Sequence, residues 1–469
     1  MSKHLVHSSA RSAVADASAV LPLFQEWLAL PLLRQLFEQT GRRFYQRTLP
    51  PLLVVWGFIY QRLNPDHTCD AAWAYLSSDA VRVRFGLAAR SRGVSSESNS
   101  AYCQARKRLP WPVVQGVLAV TARAIQRSLG EAGLWHGYRV NLFDGSTLRL
   151  PASPDLTHHY GVATNQHGSS HWPILRLVAG FDLFSGVANE VAEGRYATGE
   201  HPLAVQLIRR LGAGFLHIGD RNFGVYHLVQ VITARHSEAV LRLKITQARR
   251  LAGRALTTGL DLDVAWAPSA FDTCEPDLPT PPVAGRLITV CLRRNGFRPI
   301  DLYLFTTLTD RQVFTVPELV TLYGTRWQVE LDLRHVKTTL HMEQLAGQSV
   351  DIVRKELVLG LTAYNLLRGL MGVAALHAQR LPLELSLAQC WRRTFEACRH
   401  LALDASPAEI EQMAEGLLLR LGRCVLPKRQ HERFEPRAVW GRPRVYPTIK
   451  GSRERARREW MQLLKHTES

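Results

Sequence analysis

The sequence predicts a mixed α/β protein with helical regions at both ends of the chain. Three observations support this prediction. Residues 1–135 and the chain after residue 355 have apolar side chains at helical spacing, with prolines between the segments. Between these regions, the short β-type runs 138–143 and 215–219 each lead into an aspartate. A long helical pattern then covers residues 315–341.

Length and charge limit what the chain can be. At 469 residues and 46% hydrophobic composition it is too long for one ordinary core, so we expect two to four domains or subdomains. Lys and Arg number 58 against 40 Asp and Glu, a formal charge of +18. Such an excess favours a polyanionic partner, with a membrane surface or plain solubility as the alternatives.

The cysteines and the apolar runs indicate a cytoplasmic protein. The seven cysteines are scattered, without a C-x2-C pair, which predicts reduced thiols and argues against a zinc site. The N-terminus lacks the apolar run of a signal peptide, and the run near residues 52–60 is too short to span a bilayer. We therefore expect no membrane partner, and a hard cation rather than zinc as cofactor.

The helix predicted over residues 315–341, hereafter the signature helix, has two stripes. Thr315 is a suitable N-cap and Pro317 lies near the start, where a missing N–H is harmless. One stripe is apolar and predicted to pack on a sheet; its members are Leu322, Val329, Leu333, Val336 and Leu340.

The second stripe, beside the apolar one, is polar. Its members Tyr323, Arg326, Glu330 and Lys337 share an arc of roughly 60° at about 100° per residue. A carboxylate flanked by two cations and a phenol suits a metal ion held next to a phosphate. The alternative is a solvated helix face with ordinary i,i+4 ion pairs.

The run Tyr323-x2-Arg326-x3-Glu330-x6-Lys337 resembles the Tyr-Arg-Glu-Lys signature of the insertion element four family of transposases. The resemblance implies an RNase H-like core and an Asp-Asp-Glu active site that cuts and joins DNA. It also implies two upstream aspartates in defined contexts.

The first aspartate is assigned to Asp144. The strand predicted over residues 138–143 ends at this residue, in the run DGSTLRLP. Asp-Gly is also a common turn dipeptide, so a plain turn is the alternative. The run is similar to the family's first-aspartate motif, Asp-Gly-(Ser/Thr)-Thr-x-x-x-Pro, which makes Asp144 the first catalytic carboxylate.

The second aspartate is assigned to Asp220. It follows the strand predicted over residues 215–219, in the run HIGDRNFG, which is similar to the family's second-aspartate motif. The alternative is an aspartate that caps a helix starting at about Val225. Considered together with Asp144 and Glu330, Asp220 is interpreted as catalytic.

Histidines and tryptophans offer weaker candidates. The stretch 154–173 is predicted to be a polar loop; its histidines, at 158, 159, 167 and 171, fit no standard zinc spacing. The gap from Asp220 to Glu330, 330 − 220 = 110 residues, implies an inserted element, predicted to be β-rich. Trp266 in that element and Trp327 in the signature helix are candidates for stacking on an extruded DNA base, with a core role as the alternative.

The predicted organisation has four parts. Residues 1–135 form a helical domain that either supports the core or binds the transposon end. Residues 136–247 and 306–378 form the RNase H-like catalytic core, and residues 248–305 form the β-rich insertion. Residues 379–469 form a helical C-terminal region whose tail, residues 427–469, holds 12 Lys and Arg against 5 Asp and Glu, 12 − 5 = +7, and is predicted to bind phosphates or to be solvated.

The resemblance implies a cut-and-paste DNA transposase. Asp144, Asp220 and Glu330 would hold two Mg²⁺ ions, with Mn²⁺ as the alternative, and Tyr323, Arg326, Trp327 and Lys337 would contact DNA. The expected partners are DNA at terminal inverted repeats, target DNA and a second copy of the chain. The alternatives are an RNase H-like nuclease or resolvase without strand transfer, and a non-catalytic DNA-binding transposition inhibitor.

Overall fold

A computed structural model describes residues 24, 27–28, 30–41, 49–78, 81, 98–165, 168–270, 272–293, 299–400, 407–427 and 451–467. These form two compact units. The first contains the described parts of Met1–Gly219 with Val231–Glu238 and Thr321–Leu426. The second contains Asp220–Gln230, Ala239–Val320 and the described parts of Pro427–Ser469.

The N-terminal part of the first unit is helical, as predicted. Thr68 caps the third helix with its side chain, which accepts a hydrogen bond from the N–H of Ala71 at 3.1 Å. The helices are α1 (Leu30–Glu38), α2 (Pro51–Leu63), α3 (Cys69–Leu76), α4 (Ser100–Arg108) and α5 (Trp111–Ser128).

The first unit also contains a mixed sheet. Its strands are β1 (Leu134–Trp135), β2 (Tyr138–Arg149), β3 (Val162–Asn165), β4 (Gly168–Asp182), β5 (Ala188–Arg195) and β6 (Phe215–Gly219). β2 pairs antiparallel with β4, and β4 pairs antiparallel with β5. β6 joins the other side of β2 and runs parallel to it. Helix α6 (Pro154–Tyr160) follows β2, and α7 (His201–Arg210) connects β5 to β6.

The remaining strands belong to the second unit, apart from the first residue of β7. β7 pairs antiparallel with β10, β10 with β9, and β9 with β8. In chain order the elements are α8 (Tyr226–Ala234), which begins in the second unit and ends in the first, β7 (Glu238–Arg242), α9 (Ile245–Ala252), β8 (Asp261–Trp266), β9 (Val283–Leu292) and β10 (Ile300–Thr306).

The signature helix is helical from residue 316 to 339, but not as one uniform α-helix. It consists of α10 (Val316–Gly324), a 3₁₀ turn (Thr325–Trp327), α11 (Gln328–Arg334) and a π-helical segment (His335–Thr339). Further helices follow: α12 (Val350–His377), α13 (Leu387–His400), α14 (Pro407–Gly422) and α15 (Arg453–Thr467).

Helix α12 is the central helix of the first unit. Its 28 residues are long and apolar enough to cross a membrane by length and composition, yet its most apolar 18-residue window is completely buried in the protein. It packs against α2, α5, α14 and β5. We conclude that α12 is a core helix.

Several predicted boundaries were wrong. The polar loop expected at 154–173 contains α6, β3 and the start of β4, because Ser153 caps α6 and β3 pairs with β4. β2 does not end at Phe143 but continues to Arg149, paired with β4. Helix α9 and strand β8 were not predicted. Residues 428–450 of the basic tail lie outside the described residues, and residues 453–467 form α15.

A buried ion pair connects the N-terminal helices to α12. Arg106 of α4 binds the carboxylate of Glu356, and both side chains are almost fully buried. The second oxygen of Glu356 accepts hydrogen bonds from the N–H groups of Ala346 and Gly347, each at 3.0 Å. One carboxylate therefore holds α4, α12 and the loop between the signature helix and α12 together.

We predict that Glu356→Ala lowers the free energy of unfolding by about 3–5 kcal/mol, because it leaves the Arg106 guanidinium buried and unpaired. Urea denaturation measures this change. Glu131→Ala, at an exposed acid of the same unit, is the control and should change stability by less than about 0.5 kcal/mol. Equal stabilities for the two variants would contradict the prediction.

Candidate active site

Asp144 lies within β2, at the level where the neighbouring strand ends. Leu142 is opposite Ile218 in the parallel pairing with β6, and β6 ends one residue later, at Gly219. Asp144 continues the ladder with β4, opposite Ala179, so the Asp-Gly turn interpretation is wrong. The half-buried carboxylate accepts a hydrogen bond from the N–H of Gly145 at 2.7 Å.

The apolar stripe of the signature helix is buried, as predicted. α11 packs against β2 and β4, which places the polar stripe along β2. The five members of the apolar stripe are each at most 7% exposed: Leu322, Val329, Leu333, Val336 and Leu340.

Arg326 connects the two carboxylates of the first unit. Its Nη2 donates to Oε1 of Glu330 at 2.6 Å, and its Nη1 lies 3.7 Å from Oδ2 of Asp144. Burial lowers the pKa of Arg326, but the hydrogen bond to Glu330 and the nearby Tyr323, Glu330 and Asp144 outweigh burial and raise the pKa above its ordinary value. The guanidinium therefore stays charged between the two carboxylates.

Lys337 extends this contact along β2. Its Nζ lies 3.3 Å from the hydroxyl oxygen of Ser146, two residues beyond Asp144. Side chains two apart in a strand point to the same face, so Arg326 and Lys337 meet the same face of β2. Ser146 was not among the predicted site residues, although it belongs to the DGSTLRLP run.

The two aromatic residues of the signature helix differ in exposure. Tyr323 is buried, 7% exposed, beside Arg326. Trp327 is 55% exposed, so the alternative interpretation of Trp327 as a core residue is wrong. The exposed indole remains a candidate for contact with DNA.

Asp220 belongs to the second unit, directly after the last residue of β6. Its carboxylate accepts a hydrogen bond from the N–H of Asn222 at 2.7 Å, and its carbonyl accepts one from Phe223 at 3.1 Å. The side chain thus closes a turn six residues before α8 begins at Tyr226. The helix-capping interpretation of Asp220 is therefore wrong.

Trp266 and the histidines were the weaker candidates from the sequence. Trp266 is fully buried, in edge-to-face contact with Phe305 at a ring separation of 4.8 Å, so it is not available to stack on a base. His167 lies outside the described residues. Among the residues that the structure describes, no three His, Cys, Asp or Glu side chains are grouped so that they could hold a metal ion.

The chain is similar to known DDE transposases. A family model described as "Transposase DDE domain" matches residues 135–366, a range that includes Asp144, Asp220 and Glu330. The chain is 29% identical over 356 residues to "Transposase InsG for insertion sequence element IS4" of Escherichia coli (strain K12), covering 74% of this chain and 78% of that protein. Together these matches support an IS4-family DDE transposase.

A solved structure described as "piggyBac transposase synaptic complex with hairpin DNA" matches 94% of this chain and 92% of that chain. The TM-score is 0.42 and the identity 10%, values too low to support an inference about function. The family model and the IS4-element relative support the function of a DNA transposase.

The site chemistry fits a divalent cation. Carboxylate oxygens are the ligands that hard cations take in proteins. Asp144 and Glu330 supply such oxygens, and the Arg326 guanidinium between them shows that the site attracts positive charge. DDE transposases in general depend on divalent metal ions.

We predict that Gly224→Ala disturbs the turn that carries Asp220. A Cβ at position 224 would lie 2.2 Å from the backbone oxygen of Arg242, which cannot move away as a side chain could. We expect a loss of about 1–3 kcal/mol in stability and a lower rate of DNA cleavage. Thermal unfolding and a cleavage assay measure the two effects.

Gly212→Ala is the matched control, because a Cβ there meets no atom within 4 Å and the backbone is not left-handed. It should leave stability within about 0.5 kcal/mol of wild type. If Gly224→Ala behaves like Gly212→Ala, the close approach to Arg242 does not constrain the turn.

Proposed function

We propose that this IS4-family transposase moves its insertion sequence by cut-and-paste transposition, through metal-dependent phosphodiester cleavage and strand transfer. One observation carries the proposal. Asp144 on β2 and Glu330 on the signature helix, 330 − 144 = 186 residues apart, both contact one guanidinium on one face of a mixed sheet. Both lie in the segment that matches the transposase model.

We propose Asp220 as the third carboxylate. Parallel neighbouring strands end at the same edge of a sheet. β6 is parallel to β2 and ends beside Phe143, and Asp220 is the next residue of the chain after β6. The order β5-β4-β2-β6, with β6 alone parallel to β2, supports an RNase H-like core, and β8–β10 support a β-rich insertion between Asp220 and Glu330.

The three carboxylates would hold two Mg²⁺ ions, with Mn²⁺ as the alternative. Bound cations of this kind activate the attacking oxygen and stabilise the leaving oxygen of a phosphodiester. The side chains of this protein would do the remaining work around the scissile bond. Arg326 and Lys337 would bind its flanking phosphates, Tyr323 would donate a hydrogen bond, and the exposed indole of Trp327 would stack on a base.

The reaction would proceed in four steps. Water attacks the phosphodiester at the transposon end and releases a 3′-hydroxyl. This hydroxyl attacks the phosphodiester of the opposite strand, displaces the 3′-oxygen of the flanking DNA and forms a hairpin at the transposon end. Water opens the hairpin, and the regenerated 3′-hydroxyl attacks target DNA, displacing a 3′-oxygen and joining the two molecules.

The proposed partners are double-stranded DNA at the terminal inverted repeats, target DNA and a second copy of the chain, because two ends must be held together. The net charge of +18 favours DNA phosphates, and binding should weaken steeply with salt. The helical residues 1–135 are proposed to bind the transposon end. Free thiols among the described cysteines suit the proposed cytoplasmic setting.

We predict that Glu330→Ala abolishes end cleavage but preserves DNA binding. The substrate is a labelled duplex that carries the terminal repeat flanking the gene, with Mg²⁺ present. The cleavage rate should fall by roughly 10³-fold or more, because the carboxylate acts as one member of a unit. Gel mobility shift on the same duplex should give a Kd close to that of wild type.

Glu343→Ala is the matched control at an exposed carboxylate after the same helix, and it should cut like wild type. Cleavage by Glu330→Ala at the wild-type rate would sink the assignment of the site. A strand-transfer assay with a supplied 3′-hydroxyl end separates a transposase from a nuclease or resolvase that only cuts. Failure of wild type to cut while binding would favour a transposition inhibitor.

We predict that Arg326→Gln binds Mn²⁺ more tightly than wild type when DNA is absent. The guanidinium competes with the ion for Asp144 and Glu330, so its removal frees both carboxylates. The gain should be about two- to fivefold in Kd, the size of a half-exposed ion pair. Mn²⁺ titration followed by electron paramagnetic resonance measures it.

Arg334→Gln, at an exposed arginine of the same helix, should leave the Mn²⁺ Kd unchanged. Cleavage by Arg326→Gln should nevertheless be slower than in wild type, because a phosphate contact is lost. Mn²⁺ binding that is weaker in Arg326→Gln than in wild type would show that Arg326 does not compete with the ion.

A further inference from the structure

A buried ion pair lies beneath Glu330, on the core side of the signature helix. Asp332 is two residues after Glu330 and fully buried. Its Oδ1 lies 2.5 Å from Nη2 of Arg368 on α12 and accepts a hydrogen bond from the hydroxyl of Tyr364 at 3.2 Å. Its Oδ2 is among the described buried atoms that have no hydrogen-bond partner.

Arg368 is itself enclosed on all sides. Its Nε donates to the Tyr364 hydroxyl at 2.8 Å, and a Cβ at Gly186 would lie 2.9 Å from the guanidinium carbon. Gly186, in the turn between β4 and β5, has φ +71°, which a side chain would strain. The turn therefore closes directly over the guanidinium.

The same guanidinium reaches the π-helical segment. Nη2 of Arg368 lies 3.3 Å from Nδ1 of His335, the first residue of that segment. Burial lowers the pKa of His335 to about 4, so the ring is neutral at pH 7 and able to accept this hydrogen bond. Arg368 thus contacts the signature helix on both sides of its change from α to π.

Helix α12 ties this contact to the sheet. Asn365, one turn before Arg368, accepts from the N–H of Ala188 at 2.7 Å and donates to its carbonyl at 2.8 Å. Ala188 is the first residue of β5. Helix α12 therefore contacts the sheet through Asn365 and the signature helix through Arg368.

A buried ion pair contributes little net stability, because removing two charges from water costs about as much as their attraction returns. Such pairs are retained where they specify one arrangement over others. π-helical segments inside α-helices are frequent at functional sites. In this protein Asp332 of the ion pair and His335, the first residue of the π-helical segment, both lie within five residues of Glu330.

We propose that Asp332 and Arg368 are positioning residues for DNA cleavage: they fix the rotation of the signature helix where it changes from α to π, so that Glu330 and Lys337 face β2 together. The proposal rests on the function proposed above for Glu330. Both side chains are buried, so we expect neither to contact DNA. Their effect acts through the orientation of the Glu330 carboxylate and should therefore alter metal dependence.

The test compares wild type with the double variant Asp332→Leu, Arg368→Met, which replaces the ion pair by apolar side chains of similar length. We expect a melting temperature within about 3 °C of wild type, since such replacements preserve folding. The Kd for terminal-repeat DNA should be unchanged. The cleavage rate should fall about 10- to 100-fold, and the half-saturating Mg²⁺ concentration should rise about fivefold or more.

A purely structural role would not shift the half-saturating Mg²⁺ concentration. The matched control is Glu193→Leu, Arg354→Met, an ion pair with a 2.6 Å contact between β5 and the same helix α12. It should retain the wild-type Mg²⁺ dependence. Tyr364→Phe removes only the hydroxyl between Asp332 and Arg368, so it tests the proposal even if the double variant does not fold; a two- to threefold rise in half-saturating Mg²⁺ is expected.

If the double variant folds, a wild-type cleavage rate with wild-type Mg²⁺ dependence would overturn the proposal. If the double variant does not fold, a wild-type Mg²⁺ dependence in Tyr364→Phe would overturn it. Glu330→Ala separates this failure from failure of the proposed function. If Glu330→Ala is inactive and the positioning variants are normal, only the positioning role is lost. If Glu330→Ala is active, the proposed function fails as well.

Discussion

Electrostatic repulsion between carboxylates is the constraint on which this site depends. Two ionised carboxylates brought close together repel each other, and each raises the energy of the other's charge. In the first unit the Arg326 guanidinium lies between Asp144 and Glu330, and its burial is offset by those charges. The signature helix supplies both the Glu330 carboxylate and the Arg326 guanidinium, and the positive charge of Arg326 offsets the repulsion between Glu330 and Asp144.

That helix keeps its polar stripe aligned although it is not a regular α-helix. Three residues of 3₁₀-helix turn about 120° each rather than 100°, so they overwind the helix by roughly 60°. The π-helical segment has i to i+5 hydrogen bonds, turns less per residue and unwinds it. The two deviations have opposite sign, and Arg326 in the 3₁₀ turn and Lys337 in the π-helical segment both reach the same face of β2.

The sequence predicted the helical ends, the strand 215–219 to the residue, and the burial of the apolar stripe. It did so because periodicity and turn residues are local signals. The extent of β2 past Asp144 could not be predicted, since pairing with β4 overrides the turn preference of Asp-Gly. Trp266 and Trp327 were given the same two interpretations, yet Trp266 is buried and Trp327 is exposed, because exposure is decided by packing partners far away in the chain.

Asp332 is a buried charged residue of the signature helix that was not among the predicted site residues. At about 100° per residue, Asp332 falls about 40° beyond the edge of the apolar stripe, on the side away from the polar stripe. It is buried there, where only a buried partner makes a charge tolerable. The partner, Arg368, lies 36 residues later in a helix that otherwise looks like an apolar core element. A charge on the buried face of the signature helix therefore predicts a compensating charge on a neighbouring helix, here Arg368 on α12. The ion pair of Asp332 and Arg368 lies on the side of the signature helix opposite Glu330, the residue whose orientation it is proposed to fix.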